Sequence, residues 1–477
     1  MENRSKNGNG DLKSSLILFK TAAGQELRAT LVQLNRFNVV FEICSPVSVL
    51  RASEVLTDFR IVFYDRTIYS GQSVVRNIID TGPVLVCEST LQEKGWKNIA
   101  CDPGSLTPEF VRGAYHDFMA GLQQSYVVLP EFKLVVADMQ SLLAELRLWL
   151  EEWELNVRSM PGGDRARAER DLVDGLVEPV GSSLNHLFEK FEIVSQKVPR
   201  ELEAAHSLYV RRQLHQYLMA SPFMHRIYEK PLGYAGDYEM VNMIWRDPHE
   251  GSSLFSKVLN CWFLSQLPAE AHRNRIKILV EKLVEGAQRA RQAGRRLRIL
   301  NLACGPAHEV QTFLAESPLG DYTEFTMLDF NAETLAHTQS ILENIKKRNH
   351  LATPLKFEKK SVHNLLKEAS RSVVRSPEQC YDFVYCAGLF DYLTDSVCRR
   401  LTNILYEMVA PGGTYLATNV DAMNPIQRIM DFIFEWHLIY RTNAQFAQIS
   451  PEGALPENTR LSADPTGCNI FVEVKKN

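Results

Sequence analysis

The run Asn301-Leu302-Ala303-Cys304-Gly305-Pro306-Ala307-His308-Glu309 continues an apolar segment that begins at Leu297. An apolar run entering a glycine turn reads as a buried strand that delivers the chain to a tight loop. Gly305 has no Cβ, so the backbone there can pass close to a ligand. Further along, Glu324 to Leu328, Leu355 to Val362, Tyr381 to Ala387 and Thr414 to Val420 are strand-like, with helical patterns between them. Such alternation predicts a mostly parallel sheet with helices on both faces. Thr459 to Ala463 and Asn469 to Lys475 flank the turn signal Asp464-Pro465-Thr466-Gly467. That pattern predicts an antiparallel hairpin closing the sheet at one edge.

Ligands of open α/β sheets bind at the carboxyl ends of the strands, near the topological switch point. The second strand ends in Met327-Leu328-Asp329-Phe330, and Asp329 follows Gly305 by 24 residues. An acid near that spacing commonly accepts hydrogen bonds from ribose hydroxyls. No Gly-x-Gly-x-x-Gly is present, which speaks against a pyrophosphate cradle and a dinucleotide dehydrogenase. A ligand with ribose but no pyrophosphate fits better, and S-adenosylmethionine is such a ligand.

These residues resemble the motifs of class I S-adenosylmethionine-dependent methyltransferases. The resemblance implies a Rossmann-like α/β fold, with S-adenosyl-L-methionine as cofactor and no metal. Asn301, Ala303, Cys304 and Gly305 then belong to the first motif, although an acid usually stands at the position of Asn301 and a glycine at that of Ala307. Asp329 matches the second motif, with Phe330 beside it. Ser361 and Val362 look like the residues beside the adenine. Ala387, Gly388 and Leu389 look like the segment lining the methionine part, and Pro411-Gly412-Gly413 resembles the turn before the fifth strand. Asn301 is neutral, so it could hydrogen-bond the amino-acid end of the cofactor but not neutralise its ammonium.

A second segment is more distinctive: Lys230-Pro231-Leu232-Gly233-Tyr234-Ala235-Gly236-Asp237-Tyr238-Glu239-Met240-Val241. Two glycines, two tyrosines and an acid in a short loop suit a lid over the cofactor. Tyr234 and Tyr238 could stack or donate hydroxyls, Tyr238 on the substrate side, and Asp237 could pair with the ammonium that Asn301 leaves. This loop, the run Gly388 to Leu393 and the tail Trp436-His437-Leu438-Ile439-Tyr440-Arg441 together resemble one bacterial family. It is identified as making the 3-hydroxypalmitic acid methyl ester signal of quorum sensing, by fatty-acid carboxyl methylation. The resemblance covers about residues 215–477 and implies a small-molecule acceptor with an acyl chain. Trp436, Tyr440 and Arg441 become substrate candidates, Arg441 because a guanidinium can hold a carboxylate bidentately.

A carboxylate of ordinary pKa, about 4.3 for a Glu-like group, is ionised at neutral pH and needs alignment rather than a base. An amine or phenol would often need a proton acceptor. His308, His363, Asp391 and His437 are the candidates for that role. Two other readings stay open: a regulatory protein that binds the cofactor or a partner without turnover, and a methyltransferase acting on an amine or a protein.

Ahead of the sheet domain the texture differs. Residues 1–14 read as a disordered arm. From Ser15 to about Leu91 short β-type runs such as Leu16 to Phe19, Val39 to Ile43, Arg60 to Tyr64 and Val84 to Cys87 predict a small sandwich or barrel. The module, taken as residues 15–103, vaguely resembles PilZ barrels, which often bind cyclic di-GMP. Val32 to Phe41 lies over the strand that usually reads Asp-x-Ser-x-x-Gly, but neither that Asp nor that Gly is present and no Arg-x-x-x-Arg precedes it. The expectation is a degenerate barrel used for protein contacts. Residues 104–218 have helical periodicity, capped at Ser105 or Thr107 and broken by Met160-Pro161-Gly162-Gly163. They predict a helical linker or bundle, and this region or the barrel is where a homodimer would form. The sheet domain is taken as 219–477.

Composition limits the rest. The 477 residues carry a net charge of −4, without the basic footprint of a nucleic-acid binder. No stretch reaches the roughly 18 apolar residues of a membrane span, and the polar N-terminus lacks a secretory core. Nine scattered cysteines without a Cys-x-x-Cys pair suggest neither zinc nor disulfides. A cytoplasmic location is expected.

Overall fold

The computed structural model describes residues 15–43, 50–63, 66–80, 84–96, 107–109, 112–113, 116, 127–369 and 380–477. The arm expected over residues 1–14, Ser105 and most of the helix expected from about residue 108 lie outside these.

The N-terminal strands alternate apolar and polar residues, so each can bury one face. β1 (Ser15–Lys20), β2 (Glu26–Leu34), β3 (Asn38–Ile43), β4 (Val55–Phe63), β5 (Arg66–Asp80) and β6 (Leu85–Leu91) close into a barrel in the order β1-β2-β3-β6-β5-β4. Every neighbouring pair is antiparallel. Phe19, Phe41 and Phe59 meet inside it, with ring centroids 5.4 to 5.8 Å apart.

Two long helices follow, α1 (Pro130–Arg158) and α2 (Gly162–Ser195), parted by the extended Pro161. Next come α3 (Glu203–Leu218), α4 (Pro222–Glu229), α5 (Tyr238–Trp245), α6 (Leu254–Leu264) and α7 (Leu267–Gln292). The packing does not pause at residue 218. Phe132, Phe191, Leu214, Trp262 and Phe432 belong to a single buried cluster, so the helices on both sides of that position share one core.

The sheet is built from β7 (Leu297–Leu302), β8 (Thr323–Asp329), β9 (Leu355–Lys359), β10 (Tyr381–Cys386), β11 (Val409–Val420), β12 (Thr459–Ala463) and β13 (Asn469–Lys475). Its order is β12-β13-β11-β10-β7-β8-β9. β9, β8, β7, β10 and β11 are parallel, and β13 runs antiparallel between β11 and β12. The architecture is therefore α/β, with an antiparallel hairpin at one edge. Successive strand residues face opposite layers. Ile299, Phe383 and Tyr385 pack with α7, α8 (His308–Glu316) and α9 (Ala332–Arg348). Leu300, Leu302 and Val384 pack against α10 (Val362–Ala369) and α11 (Asp395–Glu407). The third strand stops at Lys359 rather than Val362, because Val362 already opens α10.

Strand order reverses between β7 and β10, which opens a crevice at their carboxyl ends. Among the described residues no helix is long and apolar enough to cross a membrane, and no group of three or more His, Cys, Asp or Glu could hold a metal ion.

Candidate functional site

The glycine turn lies in that crevice. Ala303, Gly305 and Ala307 all take left-handed backbone, with φ of 56°, 53° and 52°. Such a conformation costs an alanine roughly 1–2 kcal/mol and costs a glycine little. The turn is held from two sides. Gly305 N–H donates to Asp329 Oδ2 at 3.2 Å, and Thr338 Oγ1 donates to Gly305 O at 2.6 Å. Nothing lies within 4 Å of where a Cβ on Gly305 would sit, so its outer side faces open space.

That space is a cleft of about 1310 Å³, solvent at its mouth included. Of the sequence-predicted residues, Ala303, Gly305, Asp329, Phe330, Ala387, Gly388, Leu389, Tyr234, Tyr238, His308, Asp391 and Trp436 line it. Ser361 and Val362 line a smaller cleft that joins it at Asp329 and Phe330. Asp329 is buried, and burial raises its pKa although the Asn331 and Gly305 N–H groups favour its charged form. Gly388 takes left-handed backbone, with φ of 96°, which favours glycine, and a Cβ there would sit a tight 3.0 Å from Arg275 Nη1. His308 Nε2–H donates to Asn242 Oδ1 at 3.0 Å, its ring stacked on Trp245, and burial lowers its pKa to about 4. Burial raises Asp391 to about 6, against the field of Arg275. Tyr238 donates its hydroxyl to Glu333 at 2.9 Å.

Other expected residues are engaged elsewhere. Asp237 does not reach the cleft. Arg226 Nε and Nη2 donate to its carboxylate at 2.9 and 2.7 Å, and it caps α5 by accepting from Met240 N–H. Arg441 is fully buried and saturated: Asp395, Phe390 O, Asn419 Oδ1 and Leu393 O accept its protons at 2.6 to 2.9 Å. Tyr440 is half-buried, its hydroxyl against Met430 Sδ at 3.6 Å. His437 pairs with Asp431 at 2.9 Å and faces a separate pocket beside the barrel. His363 lines the smaller cleft. Cys304 is buried beneath the turn, and burial raises its thiol pKa well above the usual range.

Asn301 is the most informative departure. Its Nδ2 donates to Glu309 Oε1 at 3.0 Å, and Tyr385 OH donates to the same oxygen at 2.7 Å. Glu309 lines the cleft, so a carboxylate reaches the site from the first turn of α8 instead of from the strand. Burial raises its pKa, and the Tyr385 and Asn301 hydrogen bonds oppose that shift. Arg275, on α7, was not visible in the sequence either. Its guanidinium is buried in the cleft, donates to His272 Nε2 at 2.6 Å and feels the fields of Asp391 and Glu309. His272 is held neutral by burial and by Arg275. The first clue to Glu309 is its place in the first turn after the glycine loop. Arg275 sits among several arginines on a long helix, with no local mark.

Behind the cleft lies an apolar chamber of about 650 Å³, solvent included. Phe188, Phe223, Trp262, Phe263, Ile429 and Phe434 help wall it, and Pro268, His272, Met430 and Trp436 face both spaces.

No family model matches the chain, and no curated protein matches it. Among solved structures it is similar to a possible exported protein from Bordetella parapertussis, at 17% identity and a TM-score of 0.42, covering 67% of this chain and 99% of that one. It is also similar to magnesium protoporphyrin IX methyltransferase from Synechocystis PCC 6803 with bound S-adenosylhomocysteine, at 12% identity and a TM-score of 0.34, covering 57% and 99%. A third is the N-methyltransferase NodS from Bradyrhizobium japonicum WM9, at 12% identity and a TM-score of 0.29, covering 50% and 97%. All three TM-scores are below 0.5, and the functional reading rests on the geometry of the cleft.

Proposed function

We propose that the chain is an S-adenosylmethionine-dependent methyltransferase acting on a small molecule with an apolar chain, the favoured acceptor being a fatty-acid carboxylate. The observation that carries this reading is the junction of two spaces that differ in their polar groups. One is a cleft on a glycine turn into which Asp329, Glu309 and Arg275 converge. The other is a chamber walled almost wholly by aromatic and aliphatic side chains, reached past Met430 and Trp436.

The residues of the cleft fit the cofactor. Gly305 leaves its outer side clear, Asp329 offers a buried carboxylate for ribose hydroxyls, and Ser361 and Val362 border the smaller cleft beside it. At the other end Glu309 and Arg275 present a buried carboxylate and a buried guanidinium, complementary to the ammonium and carboxylate of an amino acid. When bound, S-adenosylmethionine supplies an electrophilic methyl group. An ionised acceptor carboxylate needs no base from the chain. The chamber holds its chain, and Tyr234, Met430 and Trp436 exclude water, so the protein's contribution is alignment and desolvation. A second reading, transfer to an amine, is favoured by Asp391, whose pKa of about 6 suits a proton acceptor at neutral pH.

Incubation of the full chain with methyl-labelled cofactor and a panel of fatty acids, 3-hydroxy fatty acids, amines and phenols tests the proposal. Label in alkali-labile fatty-acid esters is expected. Label in amines alone would overturn the acyl acceptor and leave the cofactor reading standing.

A further inference from the structure

The barrel sits over the carboxyl ends of the sheet strands, at the cleft. Main-chain bonds fix the contact. Ala52 N–H donates to Tyr392 O at 3.1 Å, and Val55 N–H donates to Gly233 O at 2.7 Å. Ser53 Oγ donates to His437 O at 2.9 Å and accepts from His437 N–H. Residues 51–55, just before and at the start of β4, are thereby held against the glycine turn's crevice. Arg51 reaches in. Its guanidinium carbon lies 4.0 Å from the Phe330 ring centroid and 5.3 Å from that of Tyr234. The loop is stiffened from within the barrel, because Arg51 N–H and Ala22 N–H both donate to the buried Glu54 carboxylate, at 2.9 and 2.8 Å. The smaller cleft has Ser361 and Val362 on its sheet side, and Thr21, Ala23 and Gln25 of the barrel on the other.

We propose that the barrel supplies the outer wall of an adenosine subsite, with Arg51 and the turn between β1 and β2 as its contacts. The proposal rests on the cofactor reading above and assigns to the barrel a part in it. A planar guanidinium lying over an aromatic ring offers a flat cationic surface on which a purine can stack. The same cation faces Asp329 and favours its charged form, which is the form that accepts two ribose hydroxyls. The barrel is then a fixed component of the cofactor site. It need not bind a nucleotide of its own to matter for activity.

The test is a calorimetric titration of the full chain with S-adenosylhomocysteine, for the wild type, Arg51→Ala and Ala23→Trp, with a ligand-free melting curve for each. Ala23 is exposed in its turn, so the bulky replacement narrows the recess without touching the barrel core. Each variant is expected to weaken binding about tenfold or more at an unchanged melting temperature. Wild-type binding with both variants equal to it would overturn the barrel wall and leave the cofactor reading intact. No binding by the wild type would overturn both. Should Arg51→Ala unfold, Ala23→Trp decides alone.

Discussion

Arg441 and Arg275 are both buried guanidiniums in the half of the molecule that holds the sheet, and their surroundings could hardly differ more. Arg441 is clasped by a carboxylate, two carbonyls and an amide oxygen. Every direction in which it could donate to a ligand is already used. Arg275 donates to a neutral imidazole and faces an open cleft between Asp391 and Glu309. A buried charge with its partners complete braces the fold, whereas one turned toward open space at a switch point is available to a ligand. The same contrast separates Asp237, consumed by Arg226 and a helix cap, from Glu309, which borders the cleft.

The contrast breaks first at Arg441. Arg441→Met leaves the buried Asn419 Oδ1 without its Arg441 donor, takes the strongest donor from each of Phe390 O and Leu393 O, and unpairs the half-exposed Asp395, so it should cost about 3–5 kcal/mol of unfolding free energy in a urea titration. A loss below about 1 kcal/mol would show that the clasp is dispensable. Arg275→Met should do the reverse. Its kcat/KM is expected to fall about a hundredfold, roughly 2.7 kcal/mol, with the unfolding midpoint nearly unchanged. If instead the midpoint dropped and the remaining folded protein kept its activity, Arg275 would belong with Arg441.

Glu192 sharpens the comparison from the acidic side. It is buried, its carboxylate accepts from Arg428 and Ile429 N–H at the start of α12 (Gln427–Phe434), and burial raises its pKa to about 7. Between its ordinary value near 4.5 and about 7 the folded state binds the extra proton. The Glu192 contribution to stability should therefore fall as pH rises through that window, by up to about 1.4 kcal/mol per pH unit, while the buried His215 and His308, each lowered to about 4, contribute with the opposite sign up to about 6.5. Glu192→Gln should remove the Glu192 contribution, so that stability rises more steeply with pH than in the wild type. An unchanged slope in the variant would assign the dependence to another group, Asp391 being the next, with a window from about 3.8 to 6. The smallest effect is expected at Asp237. Asp237→Asn weakens the Arg226 pair and should lower stability by about 1 kcal/mol, while S-adenosylhomocysteine affinity stays within about twofold. A large loss of affinity would return Asp237 to the cofactor site.

What the sequence shows and what it hides divide along the same line. Strands β7, β8 and β10, the hairpin β12–β13 and the barrel are legible because strand periodicity and turn chemistry are local. Asp329 is legible because a fixed spacing places it at the end of the neighbouring strand. The partners of Asn301, Asp237 and Arg441 are set by tertiary packing, and no spacing announces them. Arg441 looked like a carboxylate anchor because a guanidinium can hold a carboxylate bidentately, yet its burial is what obliges it to find protein acceptors. Arg51 and Phe330 meet only when the barrel docks, so a reading module by module cannot join them.

The central claim, that the cleft on Gly305 and Asp329 holds S-adenosylmethionine, is tested most directly by titrating wild type and Asp329→Ala with S-adenosylhomocysteine in a calorimeter. The account predicts one site per chain in the wild type and affinity at least about tenfold weaker in a variant that still melts cooperatively, the worth of a charged hydrogen bond to the ribose. Equal affinity in the two proteins, or no binding in either, would contradict it.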